Sequence, residues 1–278
     1  MKFNLEVAEF TRNLQSVNGL RHGDYNRYRH FCTRKLQRLR TSLKIPNGKH
    51  KFRKAELPTV LNSVRFLQIP ILRAERAWAH GLTLKSEYAL GESKALGLVR
   101  HRFIRKFYRA TRAAFEAVQI AEKICDSITI LEAKAYHAWM SALSLTEDGK
   151  YAKAIEQINS ATEMYTELAK NSLDVIIPNA SKAYKHRITD LEPIMRVCRY
   201  RLRLSQGAAH TKEENGEASP TKSAGDDFES VYEMSDEGEI DFSSGSEAAD
   251  MDFEPISPRQ QKPAQGLLGK IGGWWNKS

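Results

Sequence analysis

The chain has 278 residues, 41% of them hydrophobic and 9% aromatic, enough to bury a core, and its net charge of +9 conceals a strong asymmetry. Residues 205–258 carry fifteen acids against two lysines, the last twenty carry four cations and no acid, and the first 204 therefore hold an excess of +18. Such a body calls for a polyanionic partner, most often nucleic acid or an anionic membrane. Cys32, Cys125 and Cys198 are odd in number and widely spaced, with no zinc-ligand pattern, so they read as core residues in a reducing compartment. Met1 to Phe10 carries Glu6 and Glu9 and does not read as a secretory signal. No run approaches the ~18 apolar residues of a membrane span, so a soluble protein is expected.

In chain order, Phe3, Val7, Phe10, Leu14 and Val17 mark a first helix, stopped at Asn18-Gly19. A second runs from an Asp24 N-cap to about Leu43, ended by Pro46-Asn47-Gly48. The third is expected from Pro58 to Tyr88, kinked or split at Pro70. A fourth spans Glu92 to Ile124, a fifth Ile128 to Thr146 and a sixth Lys150 to Lys170. Two shorter helices straddle Asp190. No strand alternation stands out, so the expected fold is all-α. Gly149, Tyr151, Ala154, Ile158, Ala161 and Tyr165 follow the turn and second helix of a tetratricopeptide repeat, which makes the body a helical bundle with tetratricopeptide-like antiparallel pairs.

Three units follow: a helical domain over residues 1–205, an acidic linker over 206–265 and an apolar tail over 266–278. The linker is rich in Ser, Glu, Asp, Gly and Pro, too poor in apolar residues to offset its ordering entropy, and reads as disordered. Ser235 precedes Asp236 and Glu237, and Ser219 and Ser257 precede prolines, making all three phosphorylation candidates. The linker's negative charge could compete with a polyanion for the body. The tail, with four glycines and Trp274-Trp275, reads as a docking peptide.

The second helix carries the sharpest functional signal. At about 100° per residue, Tyr25, Tyr28, Cys32, Leu36, Leu39 and Leu43 share a core stripe. Arg27, Arg34 and Arg38 fall opposite, flanked by Lys35 and His30, with Arg29 and Arg40 at the border. From Arg21 to Lys54 twelve lysines and arginines, among them Lys44, Lys51 and Arg53, meet a single acid, Asp24. A solvated face usually mixes signs at i,i+4; this one repels itself unless phosphates supply the counter-charge. Seven of the twelve are arginines, whose planar forks pair phosphates and guanine edges. A second basic cluster comprises Arg100, Arg102, Arg105, Lys106 and Arg109. Charge alone leaves RNA, DNA or chromatin open as partners, and the helix pair leaves a repeat-type protein adaptor open. Catalysis finds no support: phosphate loop, nucleophile elbow and metal-ligand cluster are missing from the sequence, and no cofactor is implied.

Gly19-Leu20-Arg21-His22-Gly23-Asp24-Tyr25-Asn26-Arg27-Tyr28-Arg29, followed by Cys32-Thr33-Arg34-Lys35-Leu36-Gln37-Arg38-Leu39-Arg40, resembles the arginine-rich opening of the signal recognition particle 68 kDa subunit family. His50-Lys51-Phe52, Ala74-Glu75-Arg76-Ala77-Trp78, Leu131-Glu132-Ala133-Lys134-Ala135-Tyr136 and Ile194-Met195-Arg196-Val197-Cys198 agree in the family's order, over roughly residues 4–204. The resemblance implies a structural, non-enzymatic subunit on the particle's RNA, its arginine helix set in a widened groove near a junction. That role falls on Arg27, Arg34, Lys35, Arg38 and Arg40, with Arg21, His22 and Lys51 nearby; Arg29, Lys44, Arg53, Arg102, Arg105 and Lys106 join them as RNA-binding candidates. It further implies cotranslational targeting to the endoplasmic reticulum, an indirect link to the ribosome, and a cytoplasmic particle with nucleolar passage during assembly. The glycine-tryptophan tail looks like the family's terminus, but the region members use for a 72 kDa partner has no match before it, which leaves that partner in doubt.

Overall fold

The computed structural model describes residues 2–18, 20–45, 58, 61–91, 96–171 and 178–214. Lys51 and Arg53, the acidic segment beyond Glu214 with Ser219, Ser235 and Ser257, and the glycine-tryptophan tail lie outside the described residues. Within them the fold is all-α, with helices α1 (Val7–Val17), α2 (Tyr25–Ser42), α3 (Arg65–Leu90), α4 (Leu96–Ile124), α5 (Ser127–Asp148), α6 (Tyr151–Asn171) and α7 (Pro178–Glu214).

Where residues cap well, sequence and structure agree. The Asp24 carboxylate accepts from the Arg27 N–H at 2.8 Å and opens α2. Asp126 does the same for α5 through Thr129, and Gly149, at φ 86°, closes α5 in the left-handed conformation. Three boundaries differ. The first helix starts at Val7 rather than Phe3, because Phe3 is extended: its N–H donates to the Ile124 carbonyl and its carbonyl accepts from Asp126. The third helix starts at Arg65 rather than Pro58, with the Ser63 hydroxyl accepting from the Arg65 N–H, and runs unbroken through Pro70. The two short helices around Asp190 are one helix, α7, which passes through Pro193 and extends to Glu214. Proline costs it one backbone hydrogen bond, and the burial of Tyr184 and Leu191 before it and Cys198 after it offsets that loss.

The helices from α2 to α7 each pack on the next, and α1 lies across α5 and α7. Side-chain pairs fix the directions. Tyr108–Asp148, Thr111–Ser144 and Glu122–Lys134 run in opposite order along α4 and α5, so this pair is antiparallel. Arg73–Glu116 and Tyr88–Phe103 show the same for α3 and α4. Alanines let the helices close up: Ala110, Ala113, Ala114 and Ala117 on α4, Ala135, Ala138 and Ala142 on α5, and Ala154 and Ala161 on α6 are all buried. At Gly81 on α3 a side chain would meet the Phe107 ring at 3.1–3.3 Å, so glycine sets the α3–α4 approach at that level.

Two carboxylates sit in this core. Glu75 of α3 has no exposed surface and accepts from Gln15 of α1 at 2.8 Å, Tyr28 of α2 at 2.7 Å and Tyr136 of α5 at 2.9 Å. Gln15 accepts in turn from Arg187 of α7 at 3.4 Å, and that guanidinium lies 4.3 Å from the Trp139 ring centre and donates to Thr11 at 2.9 Å. Glu132 of α5 accepts from the Ala8 N–H at 3.1 Å and from the Tyr184 hydroxyl. All three cysteines are free and buried, as expected of core residues.

Burial pushes the Glu132 carboxyl up to about 7, against hydrogen bonds from Tyr184 and Ala8 that lower it. An acid raised in the folded state binds more protons there than when unfolded. Its contribution therefore favours the fold at low pH and is lost as pH rises from about 4.5 through about 7. Glu132→Gln keeps an acceptor for Ala8 and removes the charge. Thermal melts of the variant should lose less stability than the parent between pH 5 and 8; parallel melting curves across that range would refute the assignment.

Candidate nucleic-acid interface

The site begins with the phase of α2. Tyr28, Cys32 and Leu36 are buried, and Tyr25, Leu39 and Leu43 pack partly against the core, as the stripe predicts. The Tyr28 hydroxyl reaches Glu75, so the helix is fastened as well as packed. On the far side Arg27, Arg34 and Arg38 are exposed together with His30, forming a cationic crest. Arg29 and Arg40 are half-buried on one shoulder. Lys35 is half-buried on the other, its ammonium 5.3 Å from the Phe10 ring centre and 5.8 Å from that of Phe31. Lys35 thus links α2 to α1 through its cation–π contact with Phe10, and adds charge.

Both ends of α2 carry further candidates. Arg21 and His22 lie in the 3-10 turn Leu20–His22 just before the helix, with His22 exposed. At the other end the Ile45 N–H donates to the Arg40 carbonyl at 3.0 Å and the Lys44 N–H to Thr41 at 3.1 Å. This double bond pattern closes helices around a left-handed residue, usually glycine. Here that residue is Lys44, at φ 54°, exposed, with Ile45 buried behind it.

The second basic cluster lies on α4, with Arg100, Arg102 and Arg109 exposed and Arg105 and Lys106 half-buried. The fold joins it to α2 through α3, which packs against both. The joint is marked by His80 of α3, a half-buried residue. Burial first, and then the charges of Lys106, Arg29, Arg102 and Arg76, together depress its pKa to about 4. Arg29 of the first cluster and Arg102 and Lys106 of the second therefore belong to one group of cations near enough to His80 to act on it. Arg76 belongs to it too, and sequence reasoning gave neither Arg76 nor His80 a role. The available signal was the word Ala74-Glu75-Arg76, in which an inward acid and an outward base are neighbours.

Chemically, these side chains are donors and cations suited to polyanions. No group of three or more His, Cys, Asp or Glu that could hold a metal occurs among the described residues, nor does a helix long and apolar enough to cross a membrane.

The family model described as RNA-binding signal recognition particle 68 matches residues 20–242. Signal recognition particle subunit SRP68 of Dictyostelium discoideum is 32% identical over 221 residues, which are 77% of this chain and 35% of that protein. The subunit of the same name from Drosophila melanogaster is 33% identical over 221 residues, 76% of this chain and 34% of that protein. The chain thus spans about a third of the length of the curated relatives it matches. In fold it is similar to the SRP68 RNA-binding domain of Chaetomium thermophilum, with a TM-score of 0.57 at 22% identity, over 72% of this chain and all of that one. With the matching model covering most of its length, the chain belongs to the RNA-binding signal recognition particle 68 family.

Proposed function

We propose that this chain is the RNA-binding structural component of a signal recognition particle, and that the crest of α2 seats in the particle's RNA. The observation that carries the reading is the crest itself: Arg27, Arg34 and Arg38 stand exposed on a helix whose opposite face is fixed to the core. Their mutual repulsion is relieved when phosphates supply the counter-charge. A regular A-form major groove is too narrow for a helix, so the crest enters where a bulge or junction widens it, and holding that opening shapes the RNA. Arg21, His22 and Lys44 extend the contact at the helix ends, with Arg29, Lys35 and Arg40 on its shoulders. The chain would then act, without catalysis of its own, in cotranslational targeting to the endoplasmic reticulum. It would do so as part of a cytoplasmic particle assembled with nucleolar passage and meeting the ribosome through the particle.

Replacing two crest arginines, Arg34→Ala with Arg38→Ala, removes two phosphate partners. The slope of log affinity against log salt for particle RNA should fall by about two, and affinity near physiological salt by about tenfold or more, with helicity unchanged. Binding by the double variant equal to the parent's would refute the proposal.

Lys44 separates stability from binding. A non-glycine residue in the left-handed region is strained, so Lys44→Gly should stabilise the fold by about 0.5–1 kcal/mol in denaturant melts. The same change removes one cation, and the salt slope for RNA should drop by about one. A stabilised variant with an unchanged slope would remove Lys44 from the interface.

A further inference from the structure

We propose that the surface where α2, α3 and α4 meet, formed by Arg29, Arg76, His80, Arg102 and Lys106, binds a phosphate of the RNA backbone at a place separate from the α2 crest. The inference rests on the reading that the chain binds RNA, and it adds a second point of attachment with two residues, Arg76 and His80, that the arginine-helix argument does not use.

The geometry comes from two anchors. Tyr28 donates to Glu75 at 2.7 Å, which fixes α2 on α3, and the Phe107 ring packs where Gly81 leaves room, which fixes α4 on α3. Each anchoring residue has a basic neighbour in sequence: Arg29 follows Tyr28, Arg76 follows Glu75, His80 precedes Gly81 and Lys106 precedes Phe107. Arg76 and His80 are four apart on α3, as are Arg102 and Lys106 on α4, so each pair lies along one helix face. With α3 between α2 and α4, these pairs and Arg29 come together. Arg102 is exposed, and Arg29, Arg76, His80 and Lys106 are half-buried, so each keeps part of its surface open to solvent.

Charge then selects the ligand. After burial, which is the larger influence, the four charges that lower the His80 pKa are cations, from α4 (Lys106 and Arg102), α2 (Arg29) and α3 (Arg76). Cations gathered around a partly buried imidazole favour an anion rich in acceptor oxygens. Three guanidinium forks and an ammonium match the oxygens of a phosphodiester. Arg29 sits more than a third of a turn round α2 from Arg34 at about 100° per residue, so this surface and the crest face different ways. An RNA meeting both is held on two sides of α2, which gives the chain a physical grip for shaping it.

The test uses the full chain and a transcript of the particle RNA. In Arg102→Gln with Lys106→Gln, the salt slope should fall by about two and affinity near physiological salt by about tenfold or more, with the melting profile retained. Independently, the His80 ring should be followed by NMR in the unmodified chain, with and without RNA. A phosphate seated beside it opposes the four cations, so its titration midpoint should rise from about 4 towards neutral pH in the complex. This measurement decides the matter if the double variant does not fold. RNA bound by the parent with the His80 midpoint unmoved overturns the second site and leaves the crest intact. No binding of the transcript by the parent overturns both.

Discussion

Glu75 has no contact with solvent, and a carboxylate in that position survives only if its lost hydration is replaced atom by atom. Three donors do so, Gln15, Tyr28 and Tyr136, from three different helices, while Arg187 approaches through Gln15 from a fourth. Burial still raises the carboxyl, and those hydrogen bonds with the Arg187 charge pull against it. The core is therefore more than an apolar stack. Alanine-lined helices that pack by shape alone can slide by a turn at modest cost. A buried acid with partners on α1, α2 and α5 favours the one arrangement in which both of its oxygens are met. Glu132 repeats the device at the start of α1, through Ala8 and Tyr184.

The cationic surface inherits its placement from these anchors. Tyr28 points inward to Glu75, and its neighbours on α2 carry charge outward; Glu75 itself is followed by Arg76. Phe103 and Phe107 are buried on α4, preceded by Arg102 and Lys106. Each apolar or hydrogen-bonded anchor thus fixes the position of the base beside it, and long flexible side chains start from fixed points. A crest arranged before RNA arrives avoids the ordering cost that a disordered basic segment meets on binding. Lys35 is placed in the same way, since its ammonium lies over the Phe10 and Phe31 rings.

Much of this was legible in the residues. The phase of α2, its Asp24 cap and the α5–α6 pair with its glycine turn depend on local spacing, and local spacing is what a sequence displays. The family resemblance named the words containing Glu75, Glu132 and Tyr136, but nothing local says that those acids point inward. By default a glutamate on an amphipathic helix is solvated, and only partners 47 to 61 residues away in sequence reverse that for Glu75. The extended Phe3, tied to the α4–α5 connection, and the unbroken passage of α7 through Pro193 are likewise decided by distant packing. His80 was missed because its setting exists only when three helices are assembled. Lys44 was read as one more cation, since its left-handed backbone is invisible without coordinates.

The central claim is that α2 meets RNA as a helix already fixed to the core through Tyr28 and Glu75. Tyr28→Phe tests it most directly, because it removes that hydrogen bond while keeping the ring and every charge. Amide hydrogen exchange of α2 should accelerate relative to α4 and α5, and affinity for particle RNA should fall several-fold with the salt slope unchanged, since the same phosphates are met. Unchanged RNA affinity in a variant whose α2 amides have lost their protection would contradict the account.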